Sequence, residues 1–134
     1  FLPIIITVFG EHVTKYTPYV SFNTDTNIFE ISGESYSEDS VDFYQPIVQW
    51  LQSYLDKNQT PLTFNLFFIY FNTNSSQFIY EILEILEAYY LKSKVPTQVN
   101  WSVKTNDHDM MEDAENFKES FEKLPFQLTY QSVV

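Results

Sequence analysis

The chain has 134 residues, 44% of them hydrophobic and 19% aromatic, which suits one domain with a real core and argues against disorder. Eighteen Asp and Glu against seven Lys and Arg give a formal charge of -11, a field that disfavours nucleic acid and anionic membranes as partners. There is no cysteine, so disulfides, thiol catalysis and cysteine-based zinc sites are excluded, and the cytoplasm is the expected compartment.

Phe1 to Phe9 is apolar but lacks the basic start and the length of a signal peptide or a membrane-spanning helix, and Ile4 to Phe9 is expected to be a strand. The sequence does not begin with Met, which leaves open whether the native N-terminus is included. Tyr19 to Asn23 and Ile28 to Ser32 read as two further strands. Thr24-Asp25-Thr26-Asn27 between them has turn chemistry, so an antiparallel hairpin is expected. Gly33 to Ser40 is a polar loop. Its Glu34, Glu38 and Asp39 could act as acid or base carboxylates only in a cleft that nothing in the sequence indicates.

A first helix is expected to run to about Lys57, with Tyr44, Ile47, Val48, Leu51, Tyr54 and Leu55 as its buried stripe. Pro46 requires the helix either to start nearby or to bend there. Leu62 to Phe71 is apolar at nearly every position, the pattern of a central strand covered on both faces. Helical periodicity resumes at Phe78 and continues through Ile79, Ile82, Leu83, Leu86 and Tyr90, with Glu81, Glu84 and Glu87 on the wet side. Thr97 to Lys104 alternates Val99, Trp101 and Val103 with polar residues, a half-buried strand. Asp107 to Phe121 is an acidic helix, and Phe126 to Tyr130 a last strand after Pro125. The order β-β-β-α-β-α-β-α-β predicts an α/β fold: a single domain over 1–134 with a mixed, mostly parallel sheet, an N-terminal hairpin and three helices.

Two glycines and no G-x-G or G-K-[ST] sequence rule out the common nucleotide-cradling loops. There is no nucleophile elbow, and His12 and His108 are the only histidines. Asp107, His108, Asp109, Glu112 and Asp113 could hold a metal, since three- and four-residue spacing puts carboxylates on one helix face. Acidic residues at a helix start also simply cap it and meet its dipole, and that reading is preferred. No catalytic residue, metal ligand or cofactor is therefore assigned.

The remaining candidate is Asn72-Thr73-Asn74-Ser75-Ser76, five small polar residues between an apolar strand and an amphipathic helix. One reading is a helix cap worth about 1 kcal/mol. The other is a regulated phosphosite, because unpaired N–H groups and a positive dipole end make a helix start a good place for phosphate.

Tyr70-Phe71-Asn72-Thr73-Asn74-Ser75-Ser76 resembles the Y-[LF]-N-T-S-S signature of the SiaC-type regulatory phosphoproteins. Thr17-Pro18 fits the same pattern. So do Ile31 to Glu38 with Phe43-Tyr44-Gln45-Pro46, which resemble an I-S-G-x-S-Y-P-E and F-Y-x-P block. Val99-Asn100-Trp101 and Leu124-Pro125-Phe126 complete a match in register from about Thr17 to Tyr130. Asn74 stands where the signature has its first Ser, and Ser37 where the block has Pro.

The resemblance implies a STAS-like fold, akin to anti-sigma-factor antagonists, and partner switching rather than catalysis. It implies phosphorylation of Thr73, with Asn72 to Ser76 as the partner-binding turn. A serine/threonine kinase would add the phosphate, and a metal-dependent serine/threonine phosphatase would remove it. The unmodified form would bind and stimulate a diguanylate cyclase, linking the protein to cyclic di-GMP and biofilm behaviour. Ser75 or Ser76 is an alternative acceptor. A metal-dependent enzyme built on His108, or a plain binding scaffold, is the competing reading.

Overall fold

The computed structural model describes residues 5–7, 17–36 and 40–132. In chain order the elements are β1 (Ile5–Thr7), β2 (Tyr19–Asn23), β3 (Ile28–Ser35), α1 (Ser40–Leu55), β4 (Leu62–Phe71), α2 (Thr73–Ser93), β5 (Thr97–Lys104), α3 (His108–Ser120) and β6 (Phe126–Gln131). The strands form one six-stranded sheet in the order β1-β2-β3-β4-β5-β6. β1–β2 and β2–β3 are antiparallel, and the remaining pairs are parallel. The expected α/β architecture and hairpin are both present. The ends of the first expected strand, and Ser37 to Asp39 of the polar loop, lie outside the described residues.

The sheet order never reverses. Right-handed crossovers that always step in the same direction deliver every helix to the same face. That face carries a row of large apolar side chains in register, Phe22, Phe29, Phe64, Val99 and Phe126. Trp50 and Tyr54 of α1 lie over Phe29, with ring centroids 5.7 and 5.6 Å away. Phe117 of α3 stacks on Trp101 of β5 at 5.2 Å. Ile79, Ile82, Leu83 and Leu86 of α2 complete the core. A core this rich in aromatic rings gains from each buried side chain by about 25 cal/mol per Å² of apolar area removed from water.

The double-sided cover expected for β4 is corrected here. Phe64, Leu66 and Phe68 are buried, whereas Thr63, Asn65 and Phe67 are half-buried and Ile69 is exposed. All three described helices lie on one face, so apolar residues on the other are not covered by them. Much of that other face is polar: Asn100 donates from Nδ2 to Asn65 Oδ1 at 3.1 Å, and Gln98 from Nε2 to Asn100 Oδ1 at 3.2 Å.

One other boundary moves. β3 continues to Ser35 where a loop was expected, because Gly33 at φ 101° lets the chain stay paired through an irregularity. α1 follows the polar loop as expected and runs from Ser40 through Pro46, so the helix does not start at the proline. α2 begins at Thr73 with Asn72 as its N-cap, in keeping with a helix cap in the polar turn.

Candidate functional site

The site is built at the carboxyl end of β4. Gly33 pairs with Phe68 and Glu34 with Tyr70, so Ile69 is an extra residue on β4. Such a bulge reverses which residues face the helices. Ile69 and Tyr70 are accordingly 49% and 52% exposed, and Phe71 turns inward to Trp101 and Phe117. The strand thus hands the chain to α2 with Phe71 anchored and Asn72 free to cap.

Asn72 is the N-cap, in extended backbone conformation. Its side-chain oxygen accepts from Ser75 N at 2.9 Å, and its carbonyl accepts from Ser76 N at 2.9 Å. Its own N–H donates to Ser35 O at 3.0 Å, which ties the turn to the end of β3. The cap side chain therefore satisfies one otherwise orphaned N–H group, that of Ser75, Ser35 satisfies another, that of Asn72, and the Ser76 bond is the first regular bond of the helix.

The three hydroxyls that follow have different surroundings. Ser75 is fully buried, and its Oγ accepts from Ser35 Oγ at 2.8 Å. Ser35 Oγ also shares a 2.6 Å hydrogen bond with the phenol of Tyr44. Burial drives the Tyr44 phenol well above its ordinary pKa against the smaller opposing effect of those serines, so it stays neutral. Ser76 Oγ is turned back onto Thr73 O at 2.7 Å. Thr73 is exposed, and its hydroxyl makes no hydrogen bond among the described residues. Asn74 is exposed beside it.

Thr73 opens onto a hollow of about 370 Å³ between α2 and α3. Ser76 and Tyr80 continue its α2 wall, and Asp113, Asn116, Phe117 and Ser120 form the opposite wall. No Lys or Arg lines it among the described residues. Asp113 has its carboxyl pKa raised, first by partial desolvation and then by the carboxylates of Glu112, Asp109 and Asp107.

The acidic start of α3 is a cap, as preferred from the sequence. Asp107 Oδ1 accepts from Met110 N at 3.0 Å, and Asp109 lies in the first turn. Among the described residues no group of three or more His, Asp or Glu is arranged to hold a metal.

Residues 12–131 match the model of the SiaC family regulatory phosphoproteins. The chain belongs to the SiaC family. An uncharacterised protein of Pseudomonas aeruginosa strain UCBPP-PA14 is 27% identical over 79% of this chain and 83% of its own length. The structure of apo-SiaC from Pseudomonas aeruginosa superposes with a TM-score of 0.82 at 25% identity, covering 96% of this chain and 99% of that one. Diguanylate cyclase SiaD in complex with its activator SiaC, also from Pseudomonas aeruginosa, gives a match with TM-score 0.82 at 26% identity, over 88% of this chain and 95% of the other.

Within this SiaC-family chain, the five residues singled out from sequence do converge on one turn. They divide by role. Asn72 and Ser75 hold the turn together, and Thr73 and Asn74 face outward. Ser35, Tyr44 and Phe117 had not been assigned to the site from sequence. Ser35 meets Ser75 across 40 residues of chain, a contact that no local periodicity encodes.

Proposed function

We propose that this protein is a non-catalytic partner switch controlled by phosphorylation of Thr73. A serine/threonine kinase adds the phosphate and a metal-dependent phosphatase removes it. The unmodified protein binds a diguanylate cyclase and stimulates it, tying the switch to cyclic di-GMP. Asn72 to Ser76 form the part of the surface the partner meets, and the cytoplasm is where the switch works.

One observation carries the choice of acceptor: of the three neighbouring hydroxyls, only that of Thr73 is both exposed and unengaged. Ser75 would have to leave the core to meet a kinase. The choice of partner rests on SiaC being the activator held by SiaD in the matched complex. A phosphate adds about -1.5 to -2 charges at a turn without an acidic residue, so it changes the surface at the point a partner must desolvate. A loss of about 2.7 kcal/mol lowers affinity a hundredfold, enough to switch.

The test immobilises Thr73→Ala and Thr73→Asp proteins together with stoichiometrically phosphorylated wild type. The cyclase of the same host is then assayed for capture and for stimulation. The Ala form should hold and stimulate it, and the phosphorylated form should do neither. Equal capture by all three would refute the switch.

A further inference from the structure

Thr73, Ser76 and Tyr80 lie on one face of α2, and Asp113, Asn116, Phe117 and Ser120 lie on one face of α3. The two faces enclose a single hollow with a carboxylate on its far wall and, among the described residues, no cation within it. A second hollow adjoins it, sharing Phe71 and Asp113 and adding Asp107, Asp109 and Glu112. A phosphate on Thr73 would therefore meet negative charge across the hollow and, among the described residues lining it, no arginine or lysine to dock on. This differs from the familiar arrangement in which a phosphate orders a segment by pairing with arginine.

We propose that Asp113 is the residue through which the molecule reads the Thr73 phosphate: the two repel across the hollow and displace α3 from the first turn of α2. The proposal rests on Thr73 being the acceptor. Thr73 and Asp113 line the same hollow of about 370 Å³, and screening at 0.1 M salt acts over a Debye length of ~10 Å. The groups facing the phosphate are Asp113, with Asp107, Asp109 and Glu112 beyond it at the start of α3, the Tyr80 phenol from α2 itself and the Tyr70 phenol beyond it; Phe71 and Asn72 of the β4 end bring no charge. The positive end of α2 acts in the opposite sense and favours the phosphate dianion. The carboxyl of Asp113 is already raised by partial desolvation and by its acidic neighbours, the response of a site poor in positive charge. A structural reporter stands behind the wall. Phe117 lines the hollow and stacks on Trp101 at 5.2 Å and 28°. The Trp101 Nε1 is buried with no hydrogen-bond partner among the described residues, so its resonance is set largely by the rings around it.

The experiment installs phosphothreonine at position 73 in the full chain. The phosphate is titrated by ³¹P NMR in wild type, Asp113→Asn and Glu84→Gln, the last an exposed acid away from the hollow. The helix dipole is common to all three, so the comparison isolates Asp113. Asp113→Asn should lower the second phosphate pKa by roughly 0.3–0.8 unit, the range for charges about 8 Å apart at effective dielectrics between about 80 and 40. Glu84→Gln should leave it in place. Phosphorylation should move the Trp101 indole resonance in wild type and move it less in Asp113→Asn. Equal phosphate pKa values in wild type and Asp113→Asn, or an indole resonance indifferent to phosphorylation, would overturn the proposal. Phosphorylated protein that releases the cyclase without these signatures keeps the switch and removes Asp113 from it. Phosphorylated protein that retains the cyclase removes the switch itself.

Discussion

The starts of α2 and α3 solve the same backbone problem with opposite charge. Each follows the end of a strand of the parallel part of the sheet. Each is capped by an Asx side chain that accepts from the third residue on, at 2.9 Å from Asn72 and 3.0 Å from Asp107. The first turn of α3 carries Asp109, and that of α1 carries Asp42. The first turn of α2 carries no acid at all, in a chain of net charge -11. At α3 the helix dipole is met permanently by carboxylates. At α2 it is left to neutral hydroxyls and amides, the setting in which the proposed phosphorylation of Thr73 would add and remove charge. Cap chemistry alone does not separate a structural turn from the proposed switch; the permanent charge around it is what differs.

The contrast breaks most severely at Ser75. Ser75→Asp would place an uncompensated carboxylate in a fully buried position and should cost about 3–5 kcal/mol or prevent folding, whereas Asn74→Asp, one residue away and exposed, should be tolerated within about 0.5 kcal/mol. Urea unfolding of the two variants reads the difference. Removing only the hydroxyl, in Ser75→Ala or Tyr44→Phe, takes one partner from Ser35 and should cost about 1–3 kcal/mol by the same measurement.

The two caps sharpen the comparison at a smaller scale. Asn72→Ala and Asp107→Ala should each lose about 1 kcal/mol. Asp107→Asn keeps the acceptor and should lose only the charge–dipole part, about 0.3–1 kcal/mol, and that loss should shrink as salt is raised. Similar losses for Asp107→Asn and Asp107→Ala would mean that charge, not the cap hydrogen bond, holds the start of α3.

The smallest effect concerns Asp113. Its carboxyl pKa is raised in the folded protein, so folding favours the protonated form. This group opposes folding at neutral pH, and that opposition is relieved as pH falls through the raised value toward the unfolded one near 3.9. Asp113→Asn should therefore stabilise at pH 7 by no more than about 0.5 kcal/mol, since the side chain is largely solvated. The gain should vanish below about pH 4 in thermal melts taken across pH.

Much of this molecule was legible in its residues. The stripe Tyr44, Ile47, Val48, Leu51, Leu55 gave α1, and the alternation through Val99, Trp101 and Val103 gave β5, because both patterns record local burial on a fixed period. The turn at Thr73 was legible because an apolar run cannot end in five small polar residues without a change of element. Three features were not. Coverage of β4 depends on the sequential order of the strands, which no single strand encodes. The extra residue at Ile69, which turns Phe71 inward, shows only when β3 and β4 are paired. The burial of Ser75 depends on Ser35 and Tyr44, far away in the chain, and serine is a residue whose type leaves its burial undetermined.

The central claim is that charge at Thr73 controls one partner. Its most direct test is calorimetric titration of the host's SiaD-type diguanylate cyclase with unmodified protein and with protein carrying phosphothreonine at position 73. A dissociation constant at least about a hundredfold weaker for the phosphorylated form, with both forms folded, is the predicted result. Equal affinity for the two forms would contradict the account and leave the turn a helix cap.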